Sequence, residues 1–226
     1  MSLYPSFNII ISLKIVGVMA TATETGKKNG LTPETTEQSS KKKGSLQQQE
    51  SPTYLQKFFI DQLKDMYYAE QELLKALPEV KNAATSEELE DAIQDHIRQT
   101  ERHIKRIEKI FHMIGQKPEG KKCEAMDGLL KECRTIIKET EEHTMTRDAA
   151  LIIAAQKIEH YEIASYGGLV ALSVTMGMER AADILDKTLA EEEDTDQLLT
   201  DIAETYINVE AEHEGAYSWD KKIWVV

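Results

Sequence analysis

The sequence predicts an all-α protein: a four-helix bundle with one additional short helix in the crossover between its second and third long helices. Three observations carry this. Aromatic residues make up 6% of the 226 and there are five prolines, whereas strands are usually built from aromatic and β-branched residues. Apolar residues recur at steps of three and four along four long stretches. Tight turns separate the first stretch from the second and the third from the fourth, so each of those pairs is antiparallel. At 41% hydrophobic residues, the chain can bury a real core.

Ser51-Pro52 is read as the opening of the first helix, with proline in the first turn, where its missing N–H costs nothing. Leu55, Phe59, Gln62, Met66, Glu70, Leu73 and Leu77 mark its inward face, and the helix is expected to reach about Ala84. Ser86 caps the second helix, and the acidic residues after it suit the helix dipole. That helix carries Leu89, Ile93, His96, Thr100, His103, Ile107, Ile110 and Ile114 on one stripe before Gly115 ends it in a left-handed cap. After the polar loop Gln116 to Lys122, apolar residues from Cys123 to Ile137 mark the short helix, which ends near Glu142. Thr146-Arg147-Asp148 introduces the third long helix, with Ile152, Ala155, Glu159, Glu162, Tyr166, Leu169 and Ser173 facing inward. Gly177 breaks it. Met178-Glu179 starts the fourth, with Leu185, Leu189, Glu192, Asp196, Leu199, Ala203 and Tyr206 inward.

The bundle is expected over residues 51–214, between an N-terminal tail at 1–50 and a C-terminal tail at 215–226 that carries Trp219 and Trp224. Residues 20–50 are rich in Thr, Ser, Gln, Lys and Gly, too polar to offset the entropy of ordering, so a disordered tail is predicted. Met1 to Val18 are largely apolar, but no basic residue precedes the run and Lys14 falls inside it, unlike a secretory signal. Met19 opens Met-Ala-Thr-Ala-Thr like a true start, which makes residues 1–18 an over-long one. No later segment is long and apolar enough to span a bilayer, so no membrane association is expected. Cys123 and Cys133 lie roughly 15 Å apart if both are on one helix, too far for a disulfide, and read as reduced thiols of a cytoplasmic protein. Twenty-seven Lys and Arg against forty Asp and Glu give a net charge of −13, a surface that repels phosphate backbones and argues against nucleic acid as a partner.

The inward stripes are interrupted by groups that a core does not ordinarily contain. Glu70 sits between Met66 and Leu73; Glu159 and Glu162 are adjacent steps of the third stripe; Glu192 and Asp196 are adjacent steps of the fourth. His96, Thr100 and His103 occupy three successive inward steps of the second, and His103 is the candidate imidazole ligand. A carboxylate buried alone is strongly unfavourable, and several in one layer also repel one another. Two divalent cations remove both penalties. Di-iron and di-manganese bundles take a Glu from each of two helices and a Glu-x-x-His from each of the other two. Here Thr100 stands where that pattern has Glu, and the fourth helix offers no His. The alternative is that these are rim residues of an acid-rich chain, and Glu191-Glu192-Glu193 would turn a carboxylate inward in almost any register. Hard oxygen and imidazole donors suit iron or manganese. His160 projects about 100° from Glu159 and reads as a surface or subunit-contact residue.

Several stretches resemble the YciF-type family of ferritin-like bacterial proteins: Asp65-Met-Tyr-Tyr-Ala-Glu70, Lys122-Cys-Glu-Ala-Met126, Arg147-Asp-Ala-Ala-Leu151 and Glu191-Glu-Glu-Asp-Thr-Asp-Gln-Leu-Leu-Thr200. The most specific run is Ala154-Ala-Gln-Lys-Ile-Glu-His-Tyr-Glu-Ile-Ala-Ser-Tyr-Gly167, and the resemblance extends from about Leu55 to Glu214. It implies a ferritin-like bundle, usually a homodimer, associated with bacterial stress and related in shape to rubrerythrin-type di-iron proteins. That relation supports Glu70, Glu159 and Glu162 as ligands, with His103, Glu192 and Asp196 completing the set, while Thr100 leaves a gap. The expectation is a stress-associated protein with two iron or manganese ions that react with peroxide or oxygen, its electron donor unidentified. Whether it is an enzyme is left open. The competing reading is a dimeric helical scaffold with a structural or vestigial cation site, and Tyr166-Gly167-Gly168 hints at close helix packing. A DNA-coating mini-ferritin fits the acidic balance least.

Overall fold

A computed structural model describes residues 51–215. The expected tails at 1–50 and beyond Gly215, including the start at Met1 or Met19 and the two tryptophans, lie outside the described residues. The elements are α1 (Tyr54–Ala83), α2 (Glu87–Met113), α3 (Glu124–Glu139), α4 (Met145–Thr175), α5 (Glu179–Ile202), a π-helical turn (Ala203–Ile207) and α6 (Asn208–His213). No strand occurs among the described residues. No helix among them is long and apolar enough to cross a membrane.

Helices α1, α2, α5 and α4 form the bundle, packing as α1 on α2, α2 on α5, α5 on α4 and α4 on α1; α3 lies against α1 and α4. This is a ferritin-like bundle with the extra helix in the crossover. Gly115 (φ 68°) and Gly177 (φ 69°) end α2 and α4 in the left-handed conformation that glycine adopts without a Cβ penalty. Leu63 and Met66 on α1, Ile107 and Ile110 on α2 and Leu169 on α4 are buried at one end of the core; Leu73, Leu89, Ile152 and Leu199 are buried at the other. Burial of each such side chain stabilises the fold by about 1.5–3 kcal/mol. The polar layer lies between these two apolar ones.

Helix starts differ slightly from the sequence reading, because the capping side chains lie two residues from those expected. Thr53, not Ser51, caps α1: its hydroxyl accepts from the Gln56 N–H at 3.1 Å and its own N–H donates to Gln56 Oε1 at 2.8 Å, so Pro52 lies just before the helix. Helix α4 starts at Met145, with Thr144 accepting from the Arg147 N–H at 3.1 Å. Arg147 and Asp148, expected at that start, instead tie neighbouring segments together. Asp148 is fully buried, and its carboxylate accepts from the Thr85 and Ser86 N–H groups, both at 2.7 Å, holding the α1–α2 turn. Arg147 donates to the Ile137 carbonyl at 3.1 Å and to Thr140, fastening the end of α3.

Other resemblance-bearing motifs meet in the same way. Tyr161 donates to Asp65 at 2.9 Å, with the Cys123 thiol 3.0 Å from its hydroxyl, joining α4, α1 and the start of α3. Cys123 and Cys133 are both buried and free. The expected close approach at Gly167 and Gly168 is not made among the described residues, where a Cβ built at either meets nothing within 4 Å.

Candidate metal centre

All four bundle helices bring an ionisable side chain to the polar layer. Helix α1 contributes Glu70, α2 His96 and His103, α4 Glu159 and Glu162, and α5 Glu192; none is more than 4% exposed. On α2 the two histidines are two turns apart and therefore share a face, as do Glu159 and Glu162 at one turn. The side chains form two groups, His96–Glu159–Glu162–Glu192 and Glu70–His103–Glu192, within each of which the potential ligand atoms lie within 4.8 Å of one another. Glu192 belongs to both groups. Either group could hold a metal ion.

His103 is oriented from behind. Its Nε2–H donates to Glu191 Oε2 at 2.9 Å, and Arg106 grips the same carboxylate with bonds of 3.0 and 2.7 Å. That leaves Nδ1 facing the polar layer, 3.0 Å from Glu192 and 3.5 Å from Glu70. The Nδ1 contacts are close in distance but do not have hydrogen-bond geometry. A carboxylate on the far nitrogen is the usual way a metal-binding imidazole has its tautomer and ring orientation fixed. Glu191 is raised by partial burial, but its bonds from Arg106 and His103 outweigh that and hold its carboxyl at about 2. Burial alone would lower His103; the close Glu192 and Glu70 carboxylates reverse the sign and push it up to about 10 in the metal-free protein. Tyr166, fully buried, donates its hydroxyl to Glu70 Oε1 and leaves Oε2 without a partner.

The unpartnered atoms test whether cations fit. Both oxygens of Glu162 and of Glu192, Oε2 of Glu70 and of Glu159, both ring nitrogens of His96 and Nδ1 of His103 are buried without a hydrogen-bond partner. Nearly all buried polar atoms in folded proteins have partners, because each orphan costs about 1–3 kcal/mol. So dense a cluster of acceptors matches what hard divalent cations require, and the oxygen–imidazole donor set fits them. Without cations, burial pushes the carboxyls of Glu70, Glu159 and Glu162 up, and neighbouring carboxylates, Glu192 first among them for Glu159 and Glu162, add to the shift. Burial drives His96 the other way, toward the neutral ring that a ligand must be.

Of the residues singled out in the sequence, Glu70, His103, Glu159, Glu162 and Glu192 come together. Asp196 joins neither group. The inward face of α5 runs through Leu185, Thr188, Glu192, Thr195 and Leu199, rotated slightly from the stripe read in sequence. Asp196 therefore sits half-buried at the flank, 3.3 Å from Gln156 Nε2 and 3.3 Å from His160 Nδ1. Farther along, the π turn inserts an extra residue per turn, so Ile207 is buried where Tyr206 was expected and Tyr206 is exposed. Thr100 is buried and offers no ligand, its hydroxyl donating to the His96 carbonyl at 3.0 Å. His96 is the member that ligand reasoning passed over, although its place on the inward stripe was the available signal. Glu191, Arg106 and Tyr166 act across helices, and no spacing rule points to them.

A family model described as a domain of unknown function, DUF892, matches residues 54–212. The chain is 43% identical over 158 residues to Protein YciF of Escherichia coli strain K12, covering 70% of this chain and 95% of that protein. This chain belongs to the DUF892/YciF family. Among solved structures, the E. coli stress protein YciF matches with a TM-score of 0.66 at 42% identity, over 70% of this chain and 99% of that one. YcfI of Rhodopseudomonas palustris matches with a TM-score of 0.64 at 36% identity, over 66% and 94% of the two chains. A Xanthomonas campestris protein, 20% identical with a TM-score of 0.54, shares the fold alone. In this YciF-family chain, the motifs that carry the resemblance therefore have two roles. Asp65, Cys123, Arg147 and Asp148 tie the helices together, whereas Glu70, Glu159, Glu162 and Glu192 face the polar layer.

Proposed function

We propose that this protein is a stress-associated di-metal carboxylate protein that holds two iron or manganese ions between its bundle helices and reacts with peroxide or dioxygen. The observation that carries the reading is the pair of buried His/Glu groups sharing Glu192, with their ligand atoms otherwise unpartnered. Glu70, His103 and Glu192 would hold one ion, and His96, Glu159, Glu162 and Glu192 the other. Asp196 stands behind Glu159 as a nearby charge. A reduced iron or manganese pair supplies the electrons for reducing an oxygen–oxygen bond. The chain's own part is to exclude water, to fix His103 through Glu191 and Arg106, and to keep the Tyr166 hydroxyl beside Glu70 as a proton donor at the edge of the site. The stress association is carried over from the E. coli stress protein YciF, which this chain resembles.

Anaerobic titration with iron(II) or manganese(II), checked by elemental analysis on protein purified without a metal-affinity tag, should give two ions per chain. Glu159→Ala should lose at least one of them. Less than one ion per chain, or no iron oxidation above background, ends this reading.

One observation favours a second reading. Thr100 spends its hydroxyl on its own helix where the di-iron pattern has a carboxylate, which suits a scaffold whose layer holds only a structural cation. For a scaffold, a chelator should leave fold and self-association unchanged. The subunit is proposed to be a homodimer. A surface groove lined by Phe58, Gln62, Gly168 and Leu172 between α1 and α4 supports this, and light scattering after gel filtration tests it.

A further inference from the structure

The residues of both candidate groups are buried, so a cation must leave water to reach them, at a large cost unless an opposite charge meets it on the way. Two part-exposed carboxylates border the layer from outside. Glu191, on the α2–α5 side, has a side chain 25% exposed, but Arg106 pairs with it at 2.7 Å and Arg102 at 3.5 Å, so that approach is cationic. Asp196, on the α4–α5 side, has a side chain 23% exposed and no Lys or Arg in ion-pair contact among the described residues. It lies one turn from Glu192 on α5, while Gln156 and His160 flank Glu159 on α4. Gln156 Nε2 donates to Thr200 Oγ1 at 2.8 Å and to Asp196 Oδ1 at 3.3 Å, which fixes that carboxylate at the seam between the two helices. Asp196 Oδ2 makes no hydrogen bond or ion pair among the described residues.

His160 Nδ1 lies 2.8 Å from the Gln156 carbonyl and 3.3 Å from Asp196 Oδ1. In the neutral ring the proton therefore sits on Nδ1 and leaves the Nε2 lone pair free, on a side chain 67% exposed. On the inner side, Glu159 is 2% exposed with Oε2 unpartnered, and Asp196 is a carboxylate from outside the two groups whose charge acts on it. We propose that Asp196, with His160 beside it, is the station through which divalent cations enter the polar layer. There the ion exchanges waters for the Asp196 carboxylate and the His160 imidazole before it passes inward to Glu159. Carboxylate oxygen and imidazole are also the donors of the layer itself, so the ion moves between ligands of one class. The inference rests on the di-metal reading and adds the route by which the ions arrive. Asp196 is a transit ligand and not a resident one, in keeping with its place outside both groups. A station lowers the barrier in both directions, so its removal slows uptake and release alike.

The test follows cobalt(II) by stopped-flow absorption as it enters the full-length, metal-free chain, and again as a chelator withdraws it. Cobalt(II) changes colour when carboxylate and imidazole replace water, so binding is read without any activity. Asp196→Asn keeps a polar side chain of the same size and should take up cobalt about tenfold more slowly, within the range by which a charged cleft speeds the arrival of an opposite charge. Release should slow by a similar factor, and two ions per chain should still bind. Asp194→Asn is the control: it removes the same charge from an exposed position about 200° around α5 and should match the wild type. His160→Ala, at an exposed position, should also slow uptake relative to that control, and it carries the test if Asp196→Asn does not fold. Uptake by the station variants equal to that of Asp194→Asn overturns the inference. So does slower uptake with unchanged release, which is long-range attraction only, or the loss of one bound ion in Asp196→Asn, which makes Asp196 a resident ligand. The two readings fail differently. A wild type that takes up no cobalt ends the di-metal reading and the station with it, whereas two ions entering every variant at one rate end the station alone.

Discussion

Replacing Glu162 with leucine should make the metal-free protein more stable and abolish its response to metal. Glu162 is fully buried in the middle of α4, and neither carboxylate oxygen has a hydrogen-bond partner. An orphaned buried acceptor costs about 1–3 kcal/mol, and exchanging buried ionic groups for apolar ones of similar size often gains about 1–4 kcal/mol. For Glu162→Leu, a gain of about 2–4 kcal/mol follows, which in a domain of this size raises the melting temperature by roughly 5–15 °C. The gain also depends on pH. Burial, then the charges of Glu192, Glu70 and Glu159, hold the Glu162 carboxyl well above its ordinary value of 4.5. A carboxyl raised in the folded state contributes stability that is full below its unfolded value and is lost as pH rises through the folded one. The wild type therefore weakens toward alkaline pH while the variant lacks this term, so the gap should be small near pH 5 and wide near pH 8. Thermal denaturation in excess chelator, at several pH values and again with iron(II) or manganese(II), reads all of this. If chelated Glu162→Leu melts at or below the wild type at pH 8, the polar layer is a satisfied network and the argument from orphaned oxygens collapses.

Metal affinity should rise with pH between about 5 and 8, because ligands must shed protons to bind and His103 holds its proton up to about 10 in the metal-free chain. Calorimetric titration in buffers of different ionisation enthalpy should show proton release, and a pH-independent affinity would contradict the assignment of His103. Glu191→Ala should weaken binding about 10–100-fold, the usual effect of losing the partner that orients a ligating imidazole, in addition to a loss of about 1–3 kcal/mol of stability in chelator from the buried His103 N–H left without an acceptor. An unaltered dissociation constant would make Glu191 a surface ion pair only. Asp148→Ala should destabilise the chain by about 2–5 kcal/mol with or without metal, since the Thr85 and Ser86 N–H groups lose their acceptor. Urea denaturation measures it, and a loss that appears only when metal is present would place Asp148 in the wrong category.

The helices and the acid layer were legible in the sequence because both are matters of local periodicity. Residues three and four apart share a helix face whatever surrounds the helix, so Glu159 and Glu162 had to lie together, as did His96 and His103. The spacing of apolar residues around Glu70 likewise put it on the buried side of α1. Gly115 and Gly177 announced the helix ends they make. Periodicity does not report the rotation of a helix by a few tens of degrees about its axis, which packing against its neighbours decides. On α5 that rotation turns Thr188 and Thr195 inward and moves Asp196 to the rim, where Gln156 and His160 meet it. Nor can one strip of sequence show which side chains from different helices share a level. The meeting of His103 with Glu191 and Arg106, the Tyr166–Glu70 bond, and the sharing of Glu192 by two groups each join segments far apart in the chain. The sequence determined which residues must leave water; only the tertiary structure decided which of them face one another, because that depends on how four helices are turned and stacked together.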